Sequence, residues 1–129
     1  MADNGAVISG IYAAFAKGDV PVVLAALDAQ VEWREADGFP IPGSFVGPDA
    51  VLNGVFMQLG NYWDGFSVTP DEVVVSGERV VSFGHYAGTN KKTGKAFRVP
   101  FAHAWRMKDG KVTHFQQYTD THVVQETMK

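Results

Sequence analysis

The residues best equipped for chemistry gather late in the chain: His103, Gln116, Tyr118 and Asp120. An imidazole exchanges protons near neutrality, and a carboxylate in apolar surroundings becomes a general acid or base. A phenol and an amide supply hydrogen bonds. These residues flank Asp109-Gly110, a strong two-residue hairpin signal. With an even register from that turn, Lys108 faces Lys111, His103 faces Gln116, Phe101 faces Tyr118 and Val99 faces Asp120. Directly opposed residues share a face of the sheet. One face then carries Val99, Phe101, His103, Trp105 and Met107 beside Val112, His114, Gln116, Tyr118 and Asp120. Its apolar majority turns it inward. An unpaired buried polar group costs about 1–3 kcal/mol, so a ligand, a water or one another must partner these side chains. His103 and Asp120 lie four residues apart along the strands, about 14 Å in an ideal ladder. They are therefore expected in different parts of one cavity.

Other chemistries lack their residues. The chain has no cysteine, which removes disulfides, thiolate metal sites and a cysteine nucleophile. His85, His103, His114 and His122 show no zinc-type spacing, so no metal is expected. Glycine-rich phosphate loops are missing, and no nucleotide cofactor is expected either. A net charge of −3 argues against nucleic acid and anionic membranes as partners. No apolar run approaches the roughly 18 residues of a bilayer span. The first residues lack a basic region followed by an apolar core, so the expected location is the cytoplasm. A length of 129 residues fits one domain, 1–129.

The elements that must position these groups change period along the chain. Asp3 or Asn4 caps a helix to about Lys17, with Val7, Ile11, Tyr12 and Phe15 on its apolar side. Asp19 starts a short second helix with Pro21 in its first turn. Residues 31–35 alternate as a strand, and residues 37–48 read as a Gly/Pro-rich loop. Pro48 opens a third helix. From Phe66 onward the period is two, with turns at Ser76-Gly77, Thr93-Gly94 and Asp109-Gly110. Three helices before a meander predict an α+β domain, with the helices over the concave side of a curved sheet. Such a fold encloses a pocket suited to a small hydrophobic molecule. Residues 80–86 are apolar on both faces, which predicts a homodimer through the convex sheet face.

Competing readings stand beside these. His103 also fits a core histidine bonded to Gln116. Asp120 also fits a cap on the turn leading into the tail. Trp33, Trp63 and Trp105 also fit simple packing, and Tyr118 an interface. Glu35 shares the face of Trp33 but sits at a strand end, where a carboxylate reads as solvated.

The order of elements resembles the nuclear-transport-factor-2-like superfamily, in its SnoaL-like polyketide cyclase and ketosteroid isomerase-like branch. The residues that carry it are 11–27, 28–33, the helix after 46–51, and above all 103–120. In that last segment a histidine precedes an aromatic–arginine pair (Trp105-Arg106). An Asp-Gly-Lys turn follows, then an aspartate ten residues beyond its glycine. The resemblance implies a cone-shaped fold with a pocket walled by Tyr12, Trp33, Phe56, Phe101, Trp105, Gln116 and Tyr118. It implies Asp120 as general acid/base with His103 as its companion, acting without a cofactor on a carbonyl-containing hydrophobic substrate. Ketosteroid isomerase itself is matched less well. Its polarising tyrosine falls at Ile11, its base at Trp33 and its protonated aspartate at His103.

Overall fold

The structure is a computed structural model and describes residues 3–129. Helix α1 (Asn4–Ala16) begins where the Asp3 side chain accepts the Ala6 amide at 3.1 Å. Its sheet-facing side buries Ile8, Ile11 and Tyr12. Helix α2 (Val20–Ala25) carries its proline in the first turn, where a missing N–H costs nothing. Strand β1 (Leu27–Glu35) follows. Part of the expected loop is a strand, β2 (Gly43–Val46), which pairs antiparallel with β1. The third helix begins at Pro48 as expected. It consists of α3 (Pro48–Val51), a π turn (Leu52–Phe56) and α4 (Met57–Tyr62) in unbroken sequence.

Four long strands complete the sheet: β3 (Trp63–Ser76), β4 (Arg79–Asn90), β5 (Ala96–Lys108) and β6 (Lys111–Thr119). The order is β2-β1-β6-β5-β4-β3, with β1 and β6 parallel and the other pairs antiparallel. The tail expected after Thr119 forms a further helix, α5 (Thr121–Glu126). The chain is thus α+β, as predicted, with a mixed sheet, and α5 is one helix beyond the three expected.

Curvature has local causes. Asp71 is an extra residue in β3, between the pairs Pro70–Gly84 and Glu72–Phe83. A Cβ on Gly84 would stand 2.1 Å from the Thr69 carbonyl oxygen, so only glycine lets β3 bend this closely over β4. Asp109 and Gly110 take φ of 51° and 77°, both left-handed, as a tight hairpin turn requires.

The concave face holds most of the core. Val99, Phe101, His103, Trp105 and Met107 of β5 point inward, as expected, and Phe97 joins them. Strand β4 buries Val80, Ser82 and Tyr86 and turns Val81 and Phe83 outward. Helix α1 packs across β3 and β4, and so brings Tyr12 over the middle of β5. No helix among the described residues is long and apolar enough to cross a membrane.

Candidate functional site

The even register holds for Lys108–Lys111 and Met107–Val112 and fails at the next pair. Met107 faces Val112, but Arg106 faces His114, leaving Thr113 as an extra residue whose Oγ1 donates to the Arg106 carbonyl at 3.2 Å. Beyond this bulge His103 opposes Gln117, Ala104 opposes Gln116 and Ala102 opposes Tyr118. A slip of one residue exchanges the two faces of a strand. Phe115 and Gln117 therefore enter the core, while Gln116 and Tyr118 lie on the outer face, with Tyr118 58% exposed. The expected placement of Gln116 and Tyr118 on the pocket wall is corrected by this bulge.

Asp120 does not reach the interior either. It is exposed and caps α5, with Oδ1 accepting the Val123 amide at 3.2 Å. Of its two readings at the sequence level, the structure shows the cap. His103 and Asp120 do not share a cavity.

A cavity of about 50 Å³ does lie between the helices and the concave face. Helix α1 contributes Tyr12 and Phe15, and the long third helix contributes Val55 and Phe56. From the sheet come Trp33, Glu35, Tyr86, His103, Trp105, Phe115 and Gln117. Four of the predicted wall residues are here: Tyr12, Trp33, Phe56 and Trp105. Phe101 is inward but stands behind the wall, stacked on His103 at a centroid distance of 3.9 Å. Trp33 stacks on Phe115 at 3.8 Å and meets Phe56 edge-on at 5.6 Å.

His103 is 4% exposed and its two ring nitrogens are both engaged. Nδ1 lies 2.5 Å from the Tyr12 hydroxyl and Nε2 2.5 Å from the Tyr86 hydroxyl. Desolvation holds its pKa well below 6.5, so the ring is neutral. Tyr12 also meets Ser82 Oγ at 2.5 Å, and Trp105 Nε1 donates to the same Oγ at 2.9 Å. On the other side Gln117 Nε2 donates to the Tyr86 hydroxyl at 3.1 Å, while Gln117 Oε1 accepts the Ala36 amide at 3.0 Å. The core-histidine reading was right about burial and wrong about its partner.

Glu35 is the unexpected member. It ends β1, opposite Gly43, and is 3% exposed rather than solvated. Among the described residues its Oε2 has no hydrogen-bond partner, and neither has the neighbouring Trp33 Nε1. Desolvation raises its pKa from 4.5 to about 8; the Trp33 indole, short of a closed hydrogen bond, offsets only part of this. Burial pushes the Tyr86 phenol up, and the Glu35 carboxyl, which lines the same cavity, adds to this. Alternation with Trp33 was the sequence signal for this burial. Among the described residues no three His, Asp or Glu side chains converge as a metal site would need.

Residues 8–115 match the family model of the SnoaL-like domain. The chain belongs to the SnoaL-like family. This SnoaL-like chain superposes on an NTF2-like protein from Burkholderia thailandensis with a TM-score of 0.97 and 36% identity, covering 100% of this chain and 99% of that one. An NTF2-like protein of unknown function from Burkholderia pseudomallei gives 0.91 at 30% identity, over 100% and 99%. TerC, co-crystallised with polyporic acid, gives 0.87 at 26% identity, over 97% of each chain. No protein of curated function is significantly similar in sequence.

Proposed function

We propose that this SnoaL-like domain binds a small apolar molecule bearing a carbonyl, and that Glu35 moves a proton on it without a cofactor. The observation behind this reading is the Glu35 carboxyl, sealed among aromatic rings with Oε2 unpartnered. A group with a pKa near 8 can take a proton from carbon and return it near neutrality. Removal of a C–H proton leaves an enolate, and the apolar walls keep water from quenching it. The acid/base role that the family resemblance gave to Asp120 passes to Glu35 in this reading, because Asp120 faces solvent. TerC's co-crystallisation with polyporic acid supports a small-molecule ligand for the cavity. The domain is proposed to act in the cytoplasm.

Deuterium exchange at the α-carbon of cyclohexanone in D2O, followed by proton NMR, tests the reaction. Exchange is expected with the wild-type protein and at least about 100-fold slower with Glu35→Gln. Equal rates in the two proteins would refute the assignment. Carbon-detected titration of Glu35 should find a midpoint near 8; an ordinary carboxylate value would refute it as well.

A second reading concerns assembly. Phe83 (43% exposed), Tyr118 (58%) and Val74 (47%) stand on the outer sheet face. They support pairing of two copies through that face, the route expected from β4. Light scattering at micromolar concentration should then give twice 14.0 kDa, and a mass of one chain would reject the pairing.

A further inference from the structure

Ser82, Tyr12, His103 and Tyr86 form one hydrogen-bonded chain with three links. They bring four hydrogens to those links: three hydroxyl protons and the single N–H of a neutral imidazole. One hydrogen is therefore left over, and the histidine tautomer decides where. If Nδ1 carries the proton, it donates to Tyr12, Tyr12 donates to Ser82, and Tyr86 donates to Nε2. The spare hydrogen then belongs to Ser82. That side chain is fully buried and meets only Tyr12 and the Trp105 donor among the described residues, so the hydrogen has no acceptor. If Nε2 carries the proton, every link runs the other way: Ser82 to Tyr12, Tyr12 to Nδ1, and Nε2 to Tyr86. The spare hydrogen then belongs to Tyr86, which lines the same cavity as Glu35. Its oxygen already accepts from His103 and from Gln117, so its own proton can only point away from both. Stranding a buried donor on Ser82 is the costlier arrangement.

We infer that the Tyr86 hydroxyl is a hydrogen-bond donor of the cavity beside the unpartnered Trp33 Nε1, aimed there by the Nε2-protonated tautomer of His103, and that it binds the substrate's carbonyl oxygen. This rests on Glu35 as the base and completes its chemistry. Glu35 takes the proton from the carbon next to the carbonyl. The C–H electron pair becomes the C=C bond of an enolate, whose oxygen is held by Tyr86. The same proton, or one exchanged with solvent, returns from Glu35 to carbon. No oxidant or second reactant is needed. His103, with both nitrogens occupied, is a positioning residue. The ligand class is an oxygen acceptor one carbon away from an acidic C–H, fitted between Tyr86 and Glu35.

Two measurements decide it. Long-range proton–nitrogen NMR of the free protein should show His103 with Nε2 protonated and Nδ1 bare. The reverse tautomer would overturn the inference whether or not Glu35 is a base. In the cyclohexanone exchange assay, Tyr86→Phe should lower kcat/KM by about 100-fold or more, as loss of one such donor does elsewhere. The pH midpoint of the residual exchange should stay near 8, the value of Glu35. The titratable groups facing Glu35 across the cavity are Tyr12, Tyr86 and His103. Burial keeps both phenols above the assayed range and the imidazole below it, so none of them supplies that midpoint. An unchanged rate in Tyr86→Phe would overturn the donor role. Absence of exchange in the wild type, with the Nε2 tautomer present, would instead refute the Glu35 reading and leave the aim of Tyr86 intact.

Discussion

The two faces of the β5–β6 ribbon carry similar residue types and very different chemistry. On the concave face His103 and Gln117 are buried, each held by two partners, beside a carboxyl whose Oε2 has none among the described residues. On the convex side and at the strand end, Gln116, Tyr118 and Asp120 meet solvent or the backbone. Burial and the number of partners, rather than residue type, separate a reactive carboxyl from a helix cap. Desolvation shifts a buried acid upward, whereas an exposed one keeps water on both oxygens.

Glu35→Gln breaks the concave side hardest. Beyond the loss of exchange, it should change how stability depends on pH. Unfolded, Glu35 ionises above its ordinary 4.5; folded, only above about 8. Between those values the unfolded chain binds fewer protons, so stability falls as pH rises. The fall has an upper bound on the order of 5 kcal/mol. His103 works oppositely. Its folded pKa lies well below 6.5, so its contribution is present above 6.5 and is lost as pH falls. The wild type should therefore lose stability steadily from pH 6.5 to 8, and Glu35→Gln should flatten that slope in urea titrations. A slope equal in both proteins would show that Glu35 is not desolvated.

Ser82→Ala strikes the far end of the same network. It removes the acceptor of the Trp105 indole and the donor to Tyr12 in one step. Urea unfolding should show a loss of about 1–3 kcal/mol. The Nε2 tautomer of His103 should persist, because in the reverse tautomer the Tyr12 proton would be the one left without an acceptor. Stability within experimental error of the wild type would show that these groups are satisfied another way.

Much of the scaffold was legible in order and period. The first helix, the proline-led third helix, the inward face of β5 and the Asp109-Gly110 turn all follow from local signals. The family was legible too, since the segment around that turn is specific. What could not be read was long-range. An extra residue at Thr113 is invisible to alternation, because Val112 and Phe115 look like members of opposite faces until the bulge puts both inside. Glu35 looked solvated because it stands at the end of its strand. Its cover comes from elements far along the chain, including Val55 and Phe56 of the third helix and Tyr86 of β4. Ser82 and Tyr86 alternate inward with Val80, yet nothing local shows that Tyr12 and His103 close the network between them.

Asp120 gives the smallest and most discriminating change on the convex side. Its side chain accepts one backbone amide at the start of α5 and makes no other hydrogen bond. Asparagine caps a helix about as well as aspartate, so Asp120→Asn should alter stability by no more than about 0.5 kcal/mol, whereas Asp120→Ala should cost about 1 kcal/mol. Neither should slow cyclohexanone exchange. A large loss of exchange in Asp120→Asn, with the fold and the Glu35 titration intact, would return the proton-transfer role to the strand end. It would also mean that the buried carboxyl of β1 only shapes the cavity. Equal exchange in Asp120→Asn and the wild type, with exchange lost in Glu35→Gln, would assign the reaction to the concave face alone.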